Sequence, residues 1–182
     1  MTTKKNKWGP ETDGQDHINV YSRGRTWLGR QLTNFAHTPF SHHRYGSFES
    51  MEGFWHYIAT GQKYREFREL YGYRAKKAAK GIEKVPLVNF KDTIREGLVA
   101  KITQNPEIYR AMAESELPFA HYYCFGSQEQ GYKVHYPESS QWLMEVLEDI
   151  RGILATPEKV QAFLEGTEIP GPNPDKDTPS ND

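Results

Sequence analysis

The sequence predicts an α+β fold that is mainly helical, with a few short strands in a single compact domain. The chain has 182 residues, which is the size of one domain with a core of its own. Apolar residues recur at helical spacing over several segments, whereas strand-like segments are few and short. The segments also lack the regular strand and helix alternation of a doubly wound sheet.

We expect three parts along the chain: a flexible polar arm at residues 1–16, a domain at 17–166 and a disordered tail at 167–182. The tail reads TEIPGPNPDKDTPSND, so it is rich in proline and has almost no apolar surface to bury. A segment of this kind cannot offset the conformational entropy that it would lose on folding.

Charge and cysteine content exclude several classes of protein. The 23 basic and 24 acidic residues leave a formal net charge of -1. This balance lacks the excess of positive charge that is typical of proteins that bind bulk DNA or an anionic membrane. The single cysteine, Cys124, excludes a disulfide framework within the chain. No apolar run reaches the ~18 residues of a membrane span, and residues 1–8 lack the apolar region of a secretory signal. We therefore expect a cytoplasmic protein without membrane contact.

The first half of the chain is predicted to form short strands and then helices. Strand character occurs at 17–22 and 32–40, with a loop at 23–30 and a polar turn at 41–44. Met51, Phe54, Trp55 and Ile58 then mark one face of a helix over 50–60, with Ser50 as its N-cap and Gly61 as its stop. Two further helices are predicted at 62–71 and 74–80.

The second half is predicted to be more regular. Ile94, Leu98 and Ile102 repeat every four residues and indicate a helix over 91–103. Asn105 and Pro106 suit the start of the next helix. The remaining elements are a helix to residue 115, a strand at 117–125, a loop at 126–139, a helix at 142–154 and a short helix at 156–166.

Glu52 is the first candidate for a catalytic residue. It lies near the start of the 50–60 helix and is followed by Gly53, Phe54 and Trp55. A carboxylate among aromatic side chains can act as a general acid or base, and a glycine lets a ligand or another backbone approach closely. An acidic residue in the first turn also suits the helix dipole without any catalytic role. Spacing alone leaves both interpretations open.

Four histidines are candidate metal ligands: His37, His42, His43 and His56. They show no His-x-x-x-His spacing, and no carboxylate or cysteine in the sequence pattern completes a set of ligands. We therefore expect no metal site, and the imidazoles are interpreted as surface or partly buried polar groups.

A basic helix and an aromatic strand each have two interpretations. The 74–80 helix, with Arg74, Lys76, Lys77 and Lys80, suits either a phosphate clamp or a solvated face. The 117–125 strand, which ends at Phe125, could stack on nucleobases or fill the core.

Several segments, taken in order, resemble the NADAR (YbiA-like) N-glycosidase family. The family pattern opens with a short strand, continues with an Asn-Phe pair and then has a helix start with a Ser-x-Glu motif. The similar stretches are INVYS (18–22), LTNFAHTPF (32–40) and FESMEGFWHYIA (48–59). Glu52 falls on the glutamate that is thought to be catalytic in the family, and Asn34 and Phe35 fall on the Asn-Phe pair.

The resemblance extends to about residue 150. Residues 75–81 are similar to an Ala-rich basic segment of the family, with Ile82 in place of its arginine. Leu98 and Lys101 match the spacing of a Leu-x-x-Lys-Phe motif, without gaps through residue 108. Phe125-Gly126 is similar to a Trp-Gly pair, and residues 143–145 to a closing Leu-Met-Glu helix.

The chain also departs from the family pattern. Gly53-Phe54 stands where the family has His-Tyr, and His56 and Ala59 replace a Gln-x-x-Lys face. The Trp before the long helix is absent, and Ser140 stands where the family has a glycine before its last helix. These departures favour a second interpretation, a catalytically inactive NADAR-like module that binds a nucleotide, ADP-ribose or a protein partner.

The resemblance implies hydrolysis of the N-glycosidic bond of a ribosylated or ADP-ribosylated nucleobase or a related metabolite. It implies Glu52 as general acid or base and needs no cofactor. The partner would be a nucleotide-like small molecule or ADP-ribosylated nucleic acid. The substrate-binding residues that we predict are Asn34, Phe35, Trp55, Arg74, Lys80, Lys101, Phe125 and Gly126.

Overall fold

The computed structural model describes residues 8–156 and residue 158. Within this part of the chain, helices predominate and six short strands accompany them, so the α+β prediction is confirmed. Most of the predicted 156–166 helix and all of the predicted tail lie outside the described residues. The helices are α1 (Trp27–Leu32), α2 (Met51–Ala59), α3 (Gly72–Ala78), α4 (Phe90–Gln104), α5 (Pro106–Glu114) and α6 (Trp142–Leu154).

The strands form three two-stranded sheets. In the first sheet, β1 (Ile18–Asn19) lies parallel to β4 (Phe119–Ala120), which joins segments about a hundred residues apart in sequence. In the second, β2 (Phe40–His42) and β3 (Gly46–Phe48) form an antiparallel hairpin. In the third, β5 (Tyr123–Phe125) pairs antiparallel with β6 (Lys133–His135).

Helices α2 and α4 lie against each other at the centre of the core. Phe54 and Ile58 of α2, with Ile94, Leu98 and Ile102 of α4, are almost completely buried. The close approach depends on Gly97 of α4, because a Cβ atom there would lie 2.6 Å from a ring carbon of Phe54. The i, i+4 pattern that predicted the two helices therefore also identifies their buried faces.

The predicted ends of α2 are confirmed. The Ser50 hydroxyl accepts the Gly53 amide proton at 3.0 Å and so satisfies one free donor of the first turn. Gly61 follows the helix with φ +71°, a left-handed conformation in which glycine is the favoured residue. The bounds of α4, α5 and α6 also agree with the predicted helices to within about two residues.

Two predictions for the first part of the chain are wrong. The predicted 23–30 loop contains the start of α1, whose N-cap Thr26 accepts the Gly29 amide proton. The predicted 32–40 strand contains the last residue of α1 and then an irregular segment, and pairing with β3 begins only at its last residue, Phe40. This pairing continues to His42, inside the predicted 41–44 turn. A six-residue helix with one turn of apolar residues gives too little periodicity to be recognised in sequence.

The predicted 62–71 α-helix is instead a short 3-10 helix, Arg65–Glu69. The Arg68 carbonyl accepts the amide proton of Glu49, and the Leu70 carbonyl accepts the Ser50 hydroxyl proton at 2.8 Å. Both carbonyls therefore bond to the segment before α2 and do not continue a helix.

The predicted 117–125 strand is broken into β4 and β5, and the predicted 126–139 loop contains β6. The break coincides with Tyr122, whose backbone N–H and C=O both bond to the side chain of Asn19 at 3.1 Å. At Tyr122 the side-chain amide of Asn19 thus takes the place of the backbone hydrogen bonds that a neighbouring strand would make. This exchange depends on the β1–β4 pairing and leaves no local signal in the sequence.

Residues 8–16, which belong to the predicted arm, lie against the domain. The Asp13 carboxylate is buried and accepts the backbone amide protons of Asn19 and Arg25, at 2.9 and 2.7 Å. The ring of Trp8 stacks on that of His17, 5.4 Å away. Trp8, the first residue that the structure describes, is therefore already in contact with the domain. No helix in the described part of the chain has both the length and the apolar character of a membrane span.

Candidate active site

A cavity of about 540 Å³ lies where the chain segments around β1, α2, β5 and α6 meet. Its walls come from residues 20–23 after β1, the 32–35 segment after α1, the first turns of α2, the strand region 121–125 and the inner face of α6. The parallel pairing of β1 with β4 brings residues 20–23 next to the 121–125 region. In this pairing the Val20 amide donates a hydrogen bond to the Ala120 carbonyl at 2.7 Å.

Five of the predicted site residues line this cavity: Glu52, Asn34, Phe35, Trp55 and Phe125. They come from three separate parts of the chain, and their convergence is a property of the fold. The Asn34 carbonyl accepts the Glu52 amide proton at 2.8 Å, so the loop that carries Asn34 and Phe35 is attached to the start of α2.

Glu52 is the acidic side chain that lines the cavity. It occupies the second position of α2, directly after the Ser50 cap and Met51. Its Oε1 atom lies 3.0 Å from Nε2 of His56, one helical turn further on, and each side chain is 13% exposed. The helix dipole at this end stabilises a negative charge. The carboxylate is thus partly desolvated, held on one oxygen and open to the cavity.

The two residues of the basic helix that were predicted to bind substrate, Arg74 and Lys80, do not line the cavity. Arg74 and Lys80 are exposed and lie outside its lining. Lys76, on the same helix, does line it, and its Nζ atom lies 5.8 Å from the centre of the Phe35 ring. Lys76 directly follows Ala75, the buried residue of α3.

Lys101 also lies outside the cavity lining, in the core. Its side chain is completely buried, and Nζ donates a hydrogen bond to the Thr33 carbonyl at 2.8 Å. Burial lowers the pKa of Lys101 to about 7, because the charged form loses its hydration. Lys101 therefore contacts the segment that carries Asn34 and does not face the cavity itself.

Gly126 has a conformational role next to Phe125. It adopts φ +95°, and a Cβ atom would lie 2.9 Å from the Gly131 carbonyl oxygen. Glycine is therefore required at the turn that leads out of β5. Gly126 itself is not a lining residue.

Several lining residues were missed as site candidates in the sequence. Tyr21, Arg23 and His121 belong to this group. Tyr123, which also lines the cavity, is part of the aromatic strand for which base stacking and core filling were both left open. The β1–β4 pairing brings Tyr123 and Arg23 to the cavity, and no local pattern reports such a pairing.

Aromatic side chains and a neutral imidazole form the wall that comes from β1 and β5. Burial raises the pKa of the Tyr123 hydroxyl, and the nearby negative charge of Glu52 raises it further. Burial lowers the pKa of His121, so its imidazole is neutral at pH 7. His121 Nδ1 donates to the Val20 carbonyl at 2.7 Å, which leaves Nε2 as an acceptor.

The sequence pattern shows no carboxylate that could complete a set of metal ligands with these histidines. The fold nevertheless brings Glu96 next to His42. One ligand atom each from His42, His43 and Glu96 lies within 4.8 Å of the others. Burial lowers the pKa of His42 to about 4, and its Nδ1 accepts the Arg44 amide proton. Nε2 of the neutral ring must then carry the proton and donate it to Glu96, 3.0 Å away. Both ring nitrogens are engaged, which disfavours a metal ion at this position.

The fold is similar to that of a known protein. The NMR structure of the E. coli protein YbiA superposes with a TM-score of 0.53 at 16% sequence identity, covering 89% of this chain and 97% of that chain. The chain therefore has a YbiA-like α+β fold. No family model and no curated protein matches the sequence.

Proposed function

We propose that the protein is an N-glycosidase that hydrolyses the bond between a ribosyl or ADP-ribosyl group and a nucleobase or related metabolite. The observation that carries this proposal is the Glu52 carboxylate, which opens into a cavity with aromatic walls. The YbiA-like fold supports the same conclusion, because the sequence resembles the NADAR family at Glu52, Asn34 and Phe35. We propose membership of that family on these grounds.

The chemistry requires a carboxylate at the anomeric carbon. As the bond from C1 to the base nitrogen breaks, its electron pair leaves with the base and C1 acquires oxocarbenium character. Glu52 would stabilise that charge and take a proton from the attacking water. The water hydroxyl adds to C1, and the proton that Glu52 has taken from the water is passed on to the base nitrogen, which leaves Glu52 ionised again.

The cavity also supplies groups for the rest of the substrate. Trp55 and Phe125 offer aromatic faces on which a base can stack. Arg23 and Lys76 are exposed cations on the cavity lining, and neither forms a salt bridge with another residue in the described part of the chain. They are available for phosphate groups. The amide of Asn34 can bond a ribose hydroxyl or the base.

The test uses purified protein, an oligonucleotide with ADP-ribosylated guanine, and free ribosylated pyrimidines. Mass spectrometry measures released base and ADP-ribose. We expect release by the wild type and a rate at least about 100-fold lower for Glu52→Gln, as for loss of a general acid or base. Glu49→Gln is the matched control, since Glu49 lies in the same segment but outside the cavity and bonds to His37.

Three outcomes would contradict parts of the proposal. Full turnover by Glu52→Gln would exclude Glu52 as the catalytic group. Failure of the wild type to release product, together with a rise in Tm on adding ADP-ribose, would indicate the inactive binding module. Failure on every substrate without any change in Tm would leave only the fold in common with YbiA.

A further inference from the structure

We propose that His56 is a positioning residue for Glu52, holding one carboxylate oxygen so that the other is presented to the ribosyl group. This inference rests on the proposed function of Glu52 and adds a residue that does not touch the substrate. His56 is absent from the cavity lining, whereas Glu52 belongs to it. Any effect of His56 on the reaction must therefore pass through the carboxylate.

The two side chains meet because of their helical spacing. Residues four apart on a helix lie on the same face, and here Nε2 of His56 is 3.0 Å from Oε1 of Glu52. Each side chain is only 13% exposed, so little water competes for the hydrogen bond. A bond to an ionised carboxylate is about twice as strong as one between neutral groups.

The hydrogen bond also determines the tautomer of His56. A carboxylate can only accept, so Nε2 must carry a proton. Nδ1 has no hydrogen-bond partner among the described residues, and nothing there requires it to be protonated. A ring that carries its proton on Nε2 fits this arrangement, and the carboxylate that accepts this proton suits the stabilisation of an oxocarbenium ion.

Packing fixes the imidazole in place. Its centroid lies 5.7 Å from that of Phe67, a completely buried ring of the 3-10 helix. The backbone of Phe67 can approach α2 only because residue 53 is glycine, since a Cβ atom there would lie 2.1 Å from the Phe67 carbonyl oxygen. Gly53 therefore allows the Phe67 backbone to pack against α2, the Phe67 ring contacts the His56 imidazole, and His56 is hydrogen-bonded to Glu52. A rotamer fixed before the substrate binds avoids the entropy of ordering it during the reaction.

The first test compares His56→Phe with His56→Gln. Phenylalanine keeps the ring that packs on Phe67 but has no donor, whereas glutamine keeps a donor N–H. We expect His56→Phe to lower kcat about tenfold or more, with KM within about twofold, as for an interaction made mainly in the transition state. His56→Gln should restore most of the lost kcat. His37→Phe is the control, because His37 forms a His–Glu pair of the same kind, with Glu49, outside the cavity.

A second measurement does not depend on turnover. Long-range ¹H–¹⁵N spectra of the imidazoles distinguish the two neutral tautomers, and we expect His56 to be held as Nε2–H in the wild type and released to a mixture in Glu52→Ala. A Nδ1–H tautomer in the wild type would overturn the proposal. A kcat of His56→Phe equal to that of the wild type, with Glu52→Gln inactive, would also overturn the proposed role of His56. This result would not contradict the N-glycosidase proposal. Full turnover by Glu52→Gln would instead exclude Glu52 as the catalytic group, and failure of the wild type to release product would refute the N-glycosidase proposal.

Discussion

The main chains of Asn34 and Glu52 are joined by a hydrogen bond of 2.8 Å, from the Glu52 amide to the Asn34 carbonyl. The first amide protons of a helix have no partner within the helix, and here a loop more than fifteen residues earlier in the chain satisfies one of them. The bond fixes the position of Asn34 relative to the carboxylate. Two residues that face the same cavity are therefore coupled through the backbone as well.

The contact at Gly53 predicts a large steric cost for alanine. Because the new Cβ atom would lie 2.1 Å from the backbone oxygen of Phe67, Gly53→Ala should lower the free energy of unfolding by about 3 kcal/mol, the upper part of the range for overpacking. Gly152→Ala is the control, since a methyl group added at this position of α6 would have no described residue within 4 Å apart from its neighbours in the same helix. That change should stabilise the protein by up to about 1 kcal/mol. Urea denaturation of both variants measures the difference, and equal effects would contradict the contact.

The lining of the cavity predicts which cations bind phosphate. Arg23→Ala and Lys76→Ala should each weaken ADP-ribose binding by roughly fivefold, the cost of about 1 kcal/mol for one partly exposed charge-assisted hydrogen bond. Lys80→Ala and Arg74→Ala should leave the Kd unchanged, because both side chains lie outside the lining. Isothermal titration calorimetry gives the four values. A loss at Lys80 as large as that at Lys76 would contradict the assignment.

Burial of Lys101 predicts a pH dependence of stability. Its pKa is about 7 in the folded protein against 10.5 in the unfolded chain. Between these values the unfolded chain binds more protons, so the free energy of unfolding should rise with pH by up to about 1.4 kcal/mol per unit. Below pH 7 both states are protonated and the Lys101 contribution is constant.

Lys101→Met removes this group while keeping a similar length of apolar side chain. Chemical denaturation of both proteins at several pH values from 6 to 10 gives the difference between them, which should grow in favour of the wild type as the pH rises. A difference that stays flat over this range would show that Lys101 does not change its protonation there.

The position of Trp55 predicts a fluorescence signal for ligand binding. Trp55 lines the cavity and packs against Phe90 and Trp142, at centroid distances of 4.9 and 5.9 Å. A base stacked on it should quench its emission as ADP-ribose is added. Trp55→Phe should lose most of the quenching, whereas Trp27→Phe should keep it, because Trp27 is 41% exposed and outside the lining. Quenching that persists without Trp55 would indicate a different binding position.

Local patterns in the sequence determined the helices and the candidate carboxylate. The spacing of Ile94, Leu98 and Ile102 specifies the buried face of α4, and the Ser50 cap specifies the start of α2. Glu52 follows directly from that start. These features depend on residues within one or two turns of each other, so the sequence alone reports them.

Only the tertiary structure decided which residues surround Glu52. The parallel pairing of β1 with β4 brings Arg23 and His121 to one cavity, and α3 places Lys76 in its lining but ends at Ala78, before Lys80. Lys101 carries a motif spacing that suggested substrate binding, yet it is buried against the Thr33 carbonyl. Such contacts join residues far apart in the chain, and their energies depend on packing and desolvation that no local pattern encodes.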